Sequence, residues 1–324
     1  MLMFYAQHFL GLPDNNQKKE ISMQKTKIEW TDSTWNPMRG CRRVSQGCVN
    51  CYAEKTASRF NHESGPFQGM TENGKWTGNG LFVESKLHEP LTRKAPQKIF
   101  VNSMSDLFFE VFEFEQIAAV YGIMCAAPRH TFQVLTKRPF RALQFYCWLD
   151  DLCAQSDLSM VELCWAFARG ISGFKAPKLH PSLVDSFGQN IWLGTSVEDQ
   201  KATHRIEALL HCPAHTRFVS CEPLIGPVDL LGVATSNGTP YSALNPYTNG
   251  LPALDWVIVG GESQKGARPM EVEWMEQIVT DCEQHGVACF TKQMGSVYAK
   301  TIGQQGNGSG CIPIHLRRHE FPFK

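Results

Sequence analysis

Ile191-Trp-Leu-Gly-Thr-Ser-Val-Glu198 is an apolar run that ends in polar and charged residues, and the pattern recurs along the chain. Ile99-Phe-Val-Asn-Ser-Met-Ser-Asp106 and Thr131-Phe-Gln-Val-Leu-Thr-Lys-Arg138 precede it. Arg217-Phe-Val-Ser-Cys-Glu222, Trp256-Val-Ile-Val-Gly-Gly-Glu262 and Ala288-Cys-Phe-Thr-Lys-Gln293 follow. Continuous apolar runs of this length suit strands buried on both faces, as in a parallel sheet. Amphipathic stretches separate them. Phe114, Ile117, Ala118, Tyr121 and Met124 share one helical stripe over 114–127. Val272, Met275, Ile278, Val279 and Cys282 do the same over 272–284, with Gly286 as C-terminal cap. With one more strand before Cys41, the alternation predicts an α/β fold, a partial or full (β/α) TIM-like barrel of parallel strands. A doubly wound open sheet is the competing arrangement.

The barrel is expected over 23–300, after a flexible N-terminal extension at 1–22 and before a C-terminal tail at 301–324. Two stretches break the rhythm and are expected as insertions. Residues 142–189, with Trp148, Trp165 and Phe167, exceed one barrel helix, and 231–254, rich in Ser, Asn, Gly and Pro, is expected to cover a pocket.

A 43% hydrophobic and 19% charged composition describes an ordinary globular chain. Lys+Arg and Asp+Glu both number 31, so bulk electrostatics does not drive nucleic-acid binding. Any such contact needs a local patch, for which Arg42, Arg43, Arg129, Lys137, Arg138 and Arg141 are candidates. No apolar run reaches the roughly 20 residues of a membrane span, and no export signal is legible, so a cytoplasmic protein without membrane contact is expected. Nine of the twelve cysteines stand singly among apolar residues and read as small core residues.

The other three form Cys41-x6-Cys48-x2-Cys51 in a Gly-punctuated loop ahead of a helix expected over 52–60. Soft thiolates bind iron–sulfur clusters or zinc. Structural zinc takes four protein ligands. Three cysteines on a four-iron cubane leave one iron open, and the following helix N-terminus suits an anionic cluster. The polar strand ends, if the barrel forms, converge on one face: Ser103, Ser105 and Asp106; Lys137 and Arg138; Ser196 and Glu198; Glu222; Glu262; and Lys292.

The three-cysteine loop ahead of a βα barrel resembles the radical S-adenosylmethionine superfamily, whose usual spacing is Cys-x3-Cys-x2-Cys. The chain from Thr26 to about Phe321 is more closely similar to a family of phage- and prophage-encoded proteins with the longer spacing and an unassigned activity. Its blocks are Thr26-Lys-Ile-Glu-Trp-Thr-Asp32, Ser103-Met-Ser-Asp-Leu-Phe108, Leu135-Thr-Lys-Arg-Pro139, Ser196-Val-Glu-Asp-Gln200, Glu222-Pro-Leu-Ile-Gly-Pro227 and Gly260-Gly-Glu-Ser263. The resemblance implies a radical-type barrel in a bacterial host. A [4Fe-4S] cluster would sit on Cys41, Cys48 and Cys51, with S-adenosyl-L-methionine at the fourth iron and a flavodoxin- or ferredoxin-like reductant. Reductive cleavage would give a 5′-deoxyadenosyl radical that takes hydrogen from substrate. Tyr52, Ser103, Ser105, Asp106, Ser196 and Glu198 would hold the cofactor, while Lys137, Glu222, Glu262 and Lys292 would face the substrate. A nucleobase, nucleotide or modified base in phage DNA is one such substrate; a small molecule or peptide is another. The competing functions are a non-catalytic binding protein stabilised by zinc or a cluster, and methyl transfer without a radical.

Overall fold

Among the residues that the computed structural model describes (24–175, 187–236, 238–246, 250–304 and 309–322), the apolar runs form the strands expected of them. The main sheet comprises β1 (Gln24–Lys25), β2 (Ser33–Trp35), β3 (Lys98–Val101), β4 (Thr131–Thr136), β5 (Ile191–Ser196), β6 (Thr216–Cys221), β7 (Trp256–Gly260) and β8 (Ala288–Gln293). β1 is antiparallel to β2, and β2 to β8 run parallel, each beside its predecessor in the main sheet. A doubly wound sheet reverses strand order at its switch point. This sheet never reverses, so its crossovers share one hand and one side. It curls into a half-barrel, and β2 and β8 do not pair.

Alternate residues of each strand face opposite layers. Ile99, Val134, Leu193, Val219 and Val257 join the large core against the helices. Trp30, Phe100, Trp192, Phe218, Trp256, Ile258 and Phe290 form a second cluster on the concave side, toward the amino ends of the strands. The concave face therefore runs from an aromatic floor to a polar rim.

The outer layer contains α1 (Tyr52–Arg59), α2 (Phe114–Cys125), α3 (Pro139–Ser156), α4 (Met160–Ser172), α5 (His204–His211), α6 (Val272–His285) and α7 (Gly295–Thr301). α2 and α6 fall where the apolar stripes put them, and Gly286 caps α6 in the left-handed conformation. The first expected insertion resolves differently. Its opening residues belong to α3, which starts at Pro139, and the addition is α4, entered through the left-handed turn at Asp157 and the capping box of Ser159 and Glu162. Its residues 176–186 lie outside the described set, as does the 1–22 extension. α4 lies so close to α2 that a Cβ on Gly122 would stand 2.4 Å from the Cys164 carbonyl oxygen. Gly122→Ala is expected to cost about 1–3 kcal/mol by overpacking, read as a lower urea midpoint at unchanged slope.

None of the described residues of the loop at 231–254 lines the cleft that the structure shows. Val233, Tyr241, Leu244 and Leu254 are buried in the helix-side core, and Ser236 bonds Glu207 of α5. The expected tail is likewise partly woven into the sheet. Thr291 N–H donates to the Arg318 carbonyl (2.9 Å), Glu320 N–H to the Cys289 carbonyl (3.0 Å), and the Trp256 indole N–H to the Glu320 carbonyl (2.8 Å). Phe321 then packs on Trp256, with the Lys98 ammonium 4.6 Å from its ring centre. Short antiparallel segments thus cover both outer strands, where bare edges invite association. Among the nine solitary cysteines, seven are buried, whereas Cys153 is half-buried and Cys147 exposed on α3.

Candidate functional site

The segment 40–51 arches over the polar rim, and charged pairs from successive strand ends hold it there. Beyond β3, the Asp106 carboxylate accepts from Phe108 N–H, the Thr136 hydroxyl, Lys137 N–H and Arg138 Nη1, at 2.7–3.0 Å. Arg138 passes the constraint on: Nη2 donates to the Arg42 carbonyl (2.9 Å), and Nη1 lies 3.9 Å from Cys41 Sγ. Beyond β5, Glu198 pairs with Arg205 (2.8 Å) and accepts from Gly47 N–H (3.4 Å). Beyond β7, Glu262 pairs with Arg268 and accepts from the Asn50 amide (2.9 Å). Behind the loop, Arg43 pairs with buried Glu54 of α1. Gly260-Gly-Glu262 serves packing: a Cβ on Gly261 would stand 2.4 Å from the Met294 carbonyl oxygen.

Burial alone would raise the pKa of Glu198, but Lys137, Arg205 and bonds from Ser45 and Arg205 outweigh it and hold the carboxyl below its ordinary value. Glu262 is lowered in the same way, burial being outweighed by Arg268 and Asn50. A depressed folded-state pKa stabilises the fold above the ordinary glutamate pKa of about 4.3, and this stabilisation is lost as pH falls through the folded value. Glu198→Gln keeps an acceptor for Arg205 but loses the charge. It is expected to cost about 1–3 kcal/mol at pH 7, and urea titrations should show the gap to wild type closing below about pH 4.

Cys41, Cys48 and Cys51 are all unpaired and half-buried. Burial, then Asp106, pushes the Cys41 thiol up to about 12, with Cys51 and Cys48 adding to the rise. Burial also raises Cys51, against the N–H groups of Glu54 and Ala53 at the start of α1. The three thiols therefore share one electrostatic neighbourhood. Among the described residues, no three His, Cys, Asp or Glu side chains gather as ligands of a single ion. One zinc draws its thiolates to about 2.3 Å from a point. A cubane holds each cysteine on a different iron, so its thiolates stand apart.

The remaining predicted residues divide into two groups. Asp106, Glu198 and Glu262 are consumed in holding the loop, Ser196 gives its carbonyl to Arg205, and Ser105 donates to the Met38 carbonyl. Tyr52, Ser103 and Lys292 instead line a cleft of about 820 Å³ between β2 and β8, which do not pair with each other, with Asn36, Phe60, Phe67 and Met104. The Tyr52 hydroxyl donates to the Ser103 carbonyl (2.5 Å), while the residue is 40% exposed to the cleft. Glu222, at the same rim, accepts from Lys292 (2.5 Å) and Gln293 (3.1 Å). Lys137 stands near Glu198 and Cys51, and among the described residues its ammonium has no hydrogen-bond acceptor. Sequence reasoning missed Asn36, Asn50, Glu54, Arg205 and Arg268. Only Asn50 and Glu54 carried a signal, through their place beside Cys51.

A family model described as a protein of unknown function (DUF5131) matches residues 25–311. The chain belongs to this family. The DUF5131 match contains the cysteine loop, the parallel strands and the cleft, and stops short of the returning segment at 318–321. No curated protein and no solved structure matches the chain. No described helix is long and apolar enough to cross a membrane.

Proposed function

We propose that this DUF5131 chain is a radical S-adenosylmethionine enzyme in which Cys41, Cys48 and Cys51 hold a [4Fe-4S] cluster. The observation that carries the reading is the cysteine loop, fixed across the carboxyl ends of the half-barrel strands, where such folds build their active sites. Three free thiols in one neighbourhood, with Arg138, Arg43 and Lys137 close by, suit an anionic thiolate-bound group. When bound and reduced, the cluster supplies an open coordination position and the electron that cleaves the sulfonium of S-adenosylmethionine to a 5′-deoxyadenosyl radical. The protein binds and orients. Lys137, which lies near Glu198 and Cys51, would offer its ammonium to the cofactor carboxylate, and Asn36, Tyr52 and Ser103 would border the cofactor on the cleft side. The aromatic floor keeps water from entering below, limiting side reactions.

The substrate occupies the cleft. Tyr52, Phe60, Phe67 and Met104 offer flat apolar surface, while the Lys292–Glu222 pair offers opposite charges for orientation. Stacking surface with adjacent charge suits a nucleobase, free or within phage DNA, and base–aromatic stacking contributes about 1–3 kcal/mol per base. The electron comes from a flavodoxin- or ferredoxin-like protein. Anaerobically reconstituted protein, reduced and given S-adenosylmethionine, is expected to be brown and to release 5′-deoxyadenosine, more so with single-stranded DNA or nucleotides. Colourless protein with one zinc, or S-adenosylhomocysteine as product, overturns the reading.

A further inference from the structure

We propose that Arg138 is a positioning residue that tunes the cluster by donating a charged N–H to the Cys41 sulfur. This inference rests on the cluster reading above and adds a specific asymmetry to it. The three thiols have different surroundings. Cys48 has the Ser45 hydroxyl 3.9 Å from its sulfur, and Cys51 faces the backbone N–H groups at the start of α1. Cys41 faces a buried guanidinium, with Nη1 at 3.9 Å and the side chain only 5% exposed.

That guanidinium is locked from every side. Nε donates to Glu110 (2.9 Å), Nη1 to Asp106 (3.0 Å) and Nη2 to the Arg42 carbonyl (2.9 Å), and Phe109 lies 5.0 Å beneath the plane. Asp106 is itself pinned by three further donors, so the guanidinium has no other place to go. A fixed cation aimed at one thiolate draws electron density from the sulfur, which favours the reduced cluster and raises its potential. Lysine cannot reproduce the arrangement, because a point charge cannot span three acceptors held by a planar fork.

The test measures iron content and midpoint potential by redox titration on reconstituted wild type, Arg138→Gln, Arg138→Lys and the neutral pair Asp106→Asn/Arg138→Gln. The double variant removes both charges, so it leaves no buried ion unpaired. A lower midpoint potential in Arg138→Gln, with Arg138→Lys between it and wild type and the double variant above Arg138→Gln because it also removes the opposing Asp106 charge, supports the inference. A wild-type potential in an Arg138→Gln protein that keeps its iron overturns it. Loss of iron or of fold in all three also overturns it, leaving Arg138 a scaffold residue. If wild type itself takes up no cluster, the proposed function fails first.

Discussion

Cys48→Ala is expected to emerge from anaerobic reconstitution with iron reduced to background and with no 5′-deoxyadenosine above a protein-free control. A cubane on three cysteines has no spare protein ligand, so removing one thiolate removes a corner. The fold should barely notice, because Cys48 is half-buried and its sulfur meets only the Ser45 hydroxyl at a long 3.9 Å. Thermal unfolding of the metal-free variant should stay within about 1 kcal/mol of wild type. Cys212→Ala is the control: this thiol lies in the helix-side core, and its loss should spare the iron. Equal iron in Cys48→Ala and wild type would falsify the cluster assignment.

Trp256→Ala carries the largest expected loss of stability, about 3–5 kcal/mol. The indole is wholly buried at the middle of the concave floor, with Trp192, Phe218 and Phe321 ring centres at 5.3–5.6 Å. Its N–H also holds the Glu320 carbonyl, so truncation loses packing, leaves a cavity and loosens the segment that closes along β8. Urea unfolding should show the lower midpoint, and limited proteolysis should show earlier cleavage near 318–321. A loss below about 1 kcal/mol would mean that the floor collapses around the gap and is not a rigid support.

The strands were legible because each is apolar on both faces, and a strand sandwiched between aromatic floor and helix layer leaves no ambiguity of period. The unbroken order β2 to β8 decides between the barrel and the doubly wound sheet, a choice that the alternation alone left open. The pairing of α2 with α4 was not legible, since it depends on a glycine accepting a carbonyl at close range. The return of Arg318 to Phe321 along β8 escaped notice because four residues after a Gly-rich stretch carry no period. The site shows the same division. Polar strand ends announce a charged rim, yet Asp106 and Lys137 read alike in sequence, one filled by four donors and the other, among the described residues, without a hydrogen-bond acceptor for its ammonium. That distinction depends on Arg138, Arg205 and Arg268 reaching back from neighbouring segments, and residue type alone does not encode such pairings.

A ring of strands sealed all round admits only what can pass its mouth, end first. Here the two outermost parallel strands do not meet, and the cleft between them is lined by Tyr52, Phe60 and Phe67 with Glu29 and Lys292. If the proposed function holds, an opening on that side would let a long polymer be laid in sideways, one unit at a time, without being cut or threaded.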